Sequence, residues 1–91
     1  MKVCQFMNKN QFEIRDDNKL YLQSYDSLVV ELSNGKITLG RDWDYSMTTS
    51  KHVYAFLEEY TNLNFYGITN KRAYINKLIK EGKIEYNEEM F

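Results

Sequence analysis

The rhythm of apolar and polar positions changes once along this chain, in the stretch DWDYSMTTSKHVYAFL from Asp42 to Leu57. Upstream of it apolar residues alternate with a period of two, and downstream they recur every three or four residues, so the pattern predicts a sheet followed by helices. Over residues 3–15 Phe12 and Ile14 are the clearest alternating pair, running into the turn cluster Asp16, Asp17 and Asn18. Leu20, Leu22, Leu28, Val30 and Leu32 share one phase, interrupted by Ser24 and Asp26. Either one long bent strand or two strands joined by a turn at 24–26 would keep these side chains on one face, and the turn is preferred. The Asn34-Gly35 pair predicts a tight hairpin, because both central residues of a type I′ turn need positive φ. That turn sets Leu32 opposite Ile37 and Val30 opposite Leu39, with Glu31 and Thr38 on the other face. Gly40 and Arg41 close the strand.

After a link over 42–47, Thr48 or Thr49 is the expected N-cap of a first helix whose inner face is Val53, Phe56, Leu57 and Tyr60. A loop over 61–69 leads to a second helix capped by Thr69, with Ala73, Ile75, Leu78 and Ile79 as its apolar set. Lys77 and Lys80 stand near its carbonyl end, and Gly82 is placed for a left-handed C-terminal cap. There is room for a short final strand at 84–86. The expected fold is therefore a single α+β domain over 1–91, an antiparallel sheet of about four strands packed against two helices.

Composition narrows the function classes. With 91 residues there is one modest core, and 43% hydrophobic and 27% charged residues are ordinary globular values. Twelve basic and 13 acidic side chains give a net charge of -1, which supplies no global attraction to nucleic acid or an anionic membrane. Cys4 is the only cysteine, so an intramolecular disulfide is excluded and a reducing compartment is the simplest setting. The N-terminal MKVCQFMNKN turns polar too soon for a signal-peptide core or a membrane span, and the expected location is the cytoplasm. The chain has no proline, but it has eight Tyr, five Phe and one Trp. So many rings exceed what a core of this size hides, and they either line the sheet surface or serve an interface.

The residues offer no catalytic or metal constellation. One His and one Cys are too few for a structural zinc site, a Cys4–His52 pair has no visible orienting group, and there is no glycine-rich phosphate loop. No cofactor and no catalysis are expected. Two charged groupings remain. The first turn of the first helix has Lys51 and His52 beside Ser46, Thr48 and Thr49, a set suited to an anion such as phosphate. The bland alternative is that Asp42 and Asp44 neutralise Lys51 while the hydroxyls cap. The second helix has Lys71, Arg72, Lys77, Lys80 and Lys83 against Glu81 alone, which suits either phosphate contact or a solvated face.

The run YLQSYDSLVVEL, a Gly-centred hairpin and then WDYSMTTSKHVYAFLEEY resemble a family of short proteins encoded by phages, plasmids and other mobile elements of Firmicutes. The shared pattern is a Ser-Tyr-x-Ser/Thr strand, here Ser24, Tyr25 and Ser27, and a Tyr-Ser-x-Thr-Thr-x-Lys-His segment, here Tyr45, Ser46, Thr48, Thr49, Lys51 and His52. The resemblance implies a host bacterial cell and a mobile-element setting. The function expected on that basis is non-enzymatic inhibition of a host defence protein, most pointedly an anti-CRISPR inhibitor of a Cas nuclease. Asp42, Trp43, Asp44, Tyr45, Glu58, Glu59 and Tyr60 would then present acidic groups and aromatic anchors to the partner. The rival expectation is a small DNA-binding regulator that uses the basic second helix.

Overall fold

The computed structural model describes residues 2–6, 8–25 and 27–89. Strands β1 (Lys2–Phe6), β2 (Asn8–Asp16), β3 (Lys19–Ser24), β4 (Ser27–Ser33) and β5 (Lys36–Gly40) form an antiparallel meander. Helices α1 (Met47–Tyr60) and α2 (Lys71–Lys80) follow, and the chain returns to the sheet as β6 (Glu85–Asn87), parallel to β5. The α+β class is as the pattern predicts, but the sheet has six strands in sequence order where about four were expected. One additional strand comes from splitting the N-terminal segment into a hairpin, and the other is the short final strand for which the sequence left room at 84–86, here Glu85–Asn87 beside β5.

Register explains which side chains meet the helices. Val30 pairs with Leu39 and Leu32 with Ile37, as the Asn34-Gly35 turn requires, and Asn34 and Gly35 have φ of 52° and 78°. Leu22 pairs with Val30, so Leu22, Val30 and Leu39 form a fully buried row beneath Val53, Phe56 and Leu57 of α1. Leu28 leaves this face. A register shift after Leu22 pairs Gln23 with Leu28, and the displaced Val29 is buried beside Val30. The bulge reverses the expected phase at this one position. Phe12 and Ile14 also lie outside the core. They pair with Gln23 and Tyr21 on the sheet's other face, whereas Gln11, Glu13 and Arg15 share the helix face with Ser24, Leu22 and Leu20.

Both helix starts differ from expectation, by two or three residues at α1 and by one at α2. Ser46, two residues before Thr48 and three before Thr49, caps α1 by accepting from the Thr49 N–H at 3.1 Å. Asn70, and not Thr69, caps α2 by accepting from the Ala73 N–H at 3.0 Å. Short polar side chains compete for this role, and the one whose backbone is extended at the right residue takes it. The end of α2 is as predicted: Gly82 has φ of 79°, its N–H donates to the Ile79 carbonyl, and the Lys83 N–H donates to that of Leu78. These two bonds make a Schellman cap. The loop between the helices is not a simple linker. Its Phe65 is buried between Tyr54 of α1 and Tyr74 of α2, at ring separations of 5.1 and 5.8 Å, and Trp43 extends the cluster at 6.4 Å from Tyr54.

At the end of α1, the Tyr60 hydroxyl donates to both carboxylate oxygens of Glu13 at 2.6 and 2.8 Å, and the Arg15 guanidinium lies 5.8 Å from its ring centre. Burial first, and then the hydrogen bond to Glu13 and its charge, push the Tyr60 hydroxyl up from 10.0 to about 12. Unfolded chains therefore lose this proton near pH 10 while folded ones hold it, so the contribution is complete below pH 10 and is lost as pH rises toward 12. In denaturant titrations at alkaline pH, Tyr60→Phe is expected to flatten the decline of stability. Tyr21 and Tyr54, also raised by burial, supply the slope that remains.

Candidate functional site: a hydroxyl-lined cleft where two sequence segments meet

Ser24 closes β3 and Thr49 stands in the first turn of α1, and their side chains meet at 3.2 Å. This contact brings together the Ser-Tyr-x-Ser and Tyr-Ser-x-Thr-Thr segments, which the hairpin separates in sequence. It belongs to a chain of four side chains. Gln11 Nε2 donates to Ser24 Oγ at 2.9 Å, Ser24 and Thr49 share one bond, and Ser46 Oγ donates to Thr49 Oγ1 at 3.2 Å. Gln11 is fully buried, and its Oε1 has no hydrogen-bond partner among the described residues. Above this network opens a cleft of about 340 Å³. Ser24, Thr49 and Val29 form one part of its lining, and Ser27, Asp42, Tyr25 and Tyr45 the other.

Asp42 is the cleft's carboxylate. Its Oδ2 accepts from the Ser27 hydroxyl at 2.9 Å, and its Oδ1 stands 3.7 Å from Arg41 Nε. Tyr45 is 79% exposed and Tyr25 50%, and Met47, two residues beyond Tyr45, is 91% exposed. Tyr25 also has a φ of 55°, a left-handed conformation that bulky side chains rarely adopt. Ser24 pairs with Ser27, so the turn preferred from the sequence is present as a connection two residues long, and Asp26 lies outside the described residues. Gln23 Nε2 donates to the Tyr25 carbonyl at 2.7 Å and steadies this backbone.

The acidic and aromatic set expected to face a partner is dispersed. Trp43 is 3% exposed and belongs to the core, which removes it as an anchor, and Tyr60 is held by Glu13. Asp44 is paired with Arg72 at 2.7 Å. Glu58 accepts from the Phe65 N–H at 3.0 Å and fastens the loop, while Glu59 is exposed at the far end of α1. Of that set only Asp42 and Tyr45 reach the cleft.

Of the hydroxyls expected to hold an anion, those of Ser46 and Thr49 are engaged in the cap and the network. Thr48 is exposed, and its carbonyl lies 2.8 Å from His52 Nδ1, which therefore bears a proton and donates. His52 itself is buried and Lys51 exposed, so these two neighbours in sequence part company in space. The expected neutralisation of Lys51 by Asp42 and Asp44 is replaced by the pairs Arg41–Asp42 and Arg72–Asp44. On α2 Arg72 is thus engaged, and just beyond the helix Lys83 pairs with Glu81 at 3.6 Å. Lys77 and Lys80 are exposed, Lys71 is half-buried, and none of these three forms an ion pair among the described residues.

The site residues that sequence reasoning missed are Gln11 and Val29, together with Ser24, Tyr25 and Ser27, which stood out only as part of the family pattern and not as site candidates. Gln11 is a polar residue in the inward phase of β2, a signal hidden by the more conspicuous Phe12 and Ile14. Among the described residues no three His, Cys, Asp or Glu side chains come together to hold a metal ion, and no helix is long and apolar enough to cross a membrane.

A family model described as a family of unknown function, DUF8033, matches residues 2–77, and the chain belongs to that family. No curated protein and no solved structure matches it. The matched span holds every cleft residue, whereas Lys80 and Lys83 lie beyond it.

The left-handed backbone at Tyr25 costs about 1–2 kcal/mol for a side chain with a Cβ. Asparagine tolerates this conformation better, so Tyr25→Asn is expected to raise stability by about 1 kcal/mol, read as a higher midpoint in thermal unfolding.

Proposed function

We propose that this member of the family acts by binding another protein and not by catalysis, with the rim of the cleft as its contact surface. The observation that supports this most directly is the pair of exposed tyrosines, Tyr25 and Tyr45, in the lining of one cleft, with the exposed Met47 two residues beyond Tyr45 in the chain. Exposed tyrosines add contact area at low entropic cost, and a cluster of them beside a concavity is the usual make-up of a binding hot spot. The resemblance to mobile-element proteins directs the choice of partner to a host defence protein, with a Cas nuclease as the sharpest case. A row of acids imitating DNA is not available, since Asp44 and Asp42 are paired with arginines. Shape and aromatic contact take that role.

A DNA-binding regulator is the second reading, favoured by the exposed Lys77 and Lys80 near the carbonyl end of α2. Two pairings reduce its reach: Arg72 is tied to Asp44 and Lys83 to Glu81.

The two readings separate cleanly in one assay. Cleavage of target DNA by a panel of purified Cas effectors is measured with the protein, with Tyr25→Ala/Tyr45→Ala and with Lys77→Glu/Lys80→Glu. Inhibition that weakens at least tenfold in the tyrosine variant and persists in the lysine variant is the expected result. Salt-dependent DNA affinity of the protein alone, lost in the lysine variant, would favour the regulator instead.

A further inference from the structure

The polar groups of the cleft do more than line it, because their protons can be counted. Gln11 Nε2 donates to Ser24, Ser46 Oγ donates to Thr49, and the Thr49 N–H donates to Ser46. The Ser24 and Thr49 hydroxyls each have a proton, yet one hydrogen bond joins them. Whichever of the two donates, the other is left with an O–H to give, and both side chains belong to the cleft lining. Gln11 Oε1 does not take it, since that atom has no hydrogen-bond partner among the described residues. On the other side Asp42 has acceptor capacity to spare, because a carboxylate accepts about four hydrogen bonds and Ser27 supplies one.

Charge then selects among possible occupants. The carboxylate of Asp42 repels an anion. Arg41, 3.7 Å from that carboxylate, and the positive end of α1, where Thr49 stands, both oppose a full cation. What remains is a neutral group that donates at one end and accepts at the other, with a flat face for Tyr25 and Tyr45. We infer that the cleft receives a neutral amide of the partner polypeptide, its N–H donating to Asp42 and its carbonyl accepting from the Ser24–Thr49 pair. This rests on the reading that the partner is a protein seated on this face. A volume of about 340 Å³ admits the amide together with part of the chain that bears it. The amide belongs either to an Asn or Gln side chain or to the backbone, two sources with one chemistry.

The test uses the full chain and small probes, independent of any partner. Backbone amide NMR signals of Ser24, Ser27 and Thr49 are followed during titration with acetamide, N-methylacetamide, acetate and guanidinium. Saturable shifts at millimolar acetamide or N-methylacetamide, at least tenfold tighter than for either ion, are expected. A tighter acetamide identifies the side-chain amide, and a tighter N-methylacetamide the backbone. Asp42→Ala is expected to weaken the amide at least tenfold while signals remote from the cleft stay in place, and Ser27→Ala provides a second, milder variant with a smaller loss. Tighter binding of acetate or guanidinium, no saturation by either amide, or an unchanged affinity in Asp42→Ala would overturn the inference. Because the nuclease assay does not enter here, amide binding without inhibition would leave the cleft chemistry standing and remove the proposed partner, and inhibition without amide binding would do the reverse.

Discussion

Helix α1 is pinned at both ends by hydrogen bonds between side chains, and the arrangement of the rest follows from those two fixings. At its start Thr49 meets Ser24 of β3, and at its end Tyr60 meets Glu13 of β2. Between them Val53, Phe56 and Leu57 bury an apolar stripe on Leu22, Val30 and Leu39. Apolar burial supplies most of the attraction but is indifferent to a small slide or rotation of a helix over a sheet. Polar bonds are directional, and breaking one in a buried place leaves a group unsatisfied at a cost of about 1–3 kcal/mol. The two ends therefore select one pose among several of similar burial. That pose aligns the α1 start with the β3–β4 turn and so creates the cleft.

The second half of the chain is attached differently. Helix α2 buries Ile75 and Leu78 in the core and is joined to α1 by rings, with Phe65 inserted between Tyr54 and Tyr74 and Trp43 closing the row beside Tyr54. Much of the unusual aromatic content is spent on this junction. The Asp44–Arg72 pair crosses it near the surface, and with Arg72 mostly exposed it adds little stability but fixes direction. One consequence is electrostatic: the residue that most favours a basic face on α2 is partly cancelled by the segment leading into α1.

How much of this was legible in the sequence depends on the range of the interaction concerned. The Asn34-Gly35 hairpin and its four cross-strand partners were readable, because turn geometry and a period of two are local and agree. The Gly82 cap was readable for the same reason. The bulge at Val29 was not, since Leu28 and Val29 are both apolar and only the partner strand decides which one turns inward. Gln11 was hidden in the same way: a buried amide makes sense only once Ser24 is known to lie opposite. Trp43 and Tyr45, two residues apart, looked alike as anchors, and only the path of the loop buries one and exposes the other. Phe65 read as part of a loop because nothing local shows that two helices close on it.

The meander solves one geometric problem three times, and the difference between the solutions bears on function. Asp16 pairs with Lys19, Ser24 with Ser27 and Ser33 with Lys36, so each connection is two residues long. The first residue of each has left-handed backbone, with φ of 53° at Asp17, 55° at Tyr25 and 52° at Asn34. Asp and Asn are the side chains that tolerate this conformation, since a short polar group can bond locally to the backbone. Tyrosine has no such compensation. A fold under selection for stability alone would place Asn or Gly at the second turn as it does at the third. The strained residue is instead the large, half-exposed ring on the wall of the cleft, where the proposed contact surface would use it. The backbone conformation that costs stability at Tyr25 belongs to a ring that shares the cleft lining with Tyr45, whereas Asp17 and Asn34 do not line that cleft.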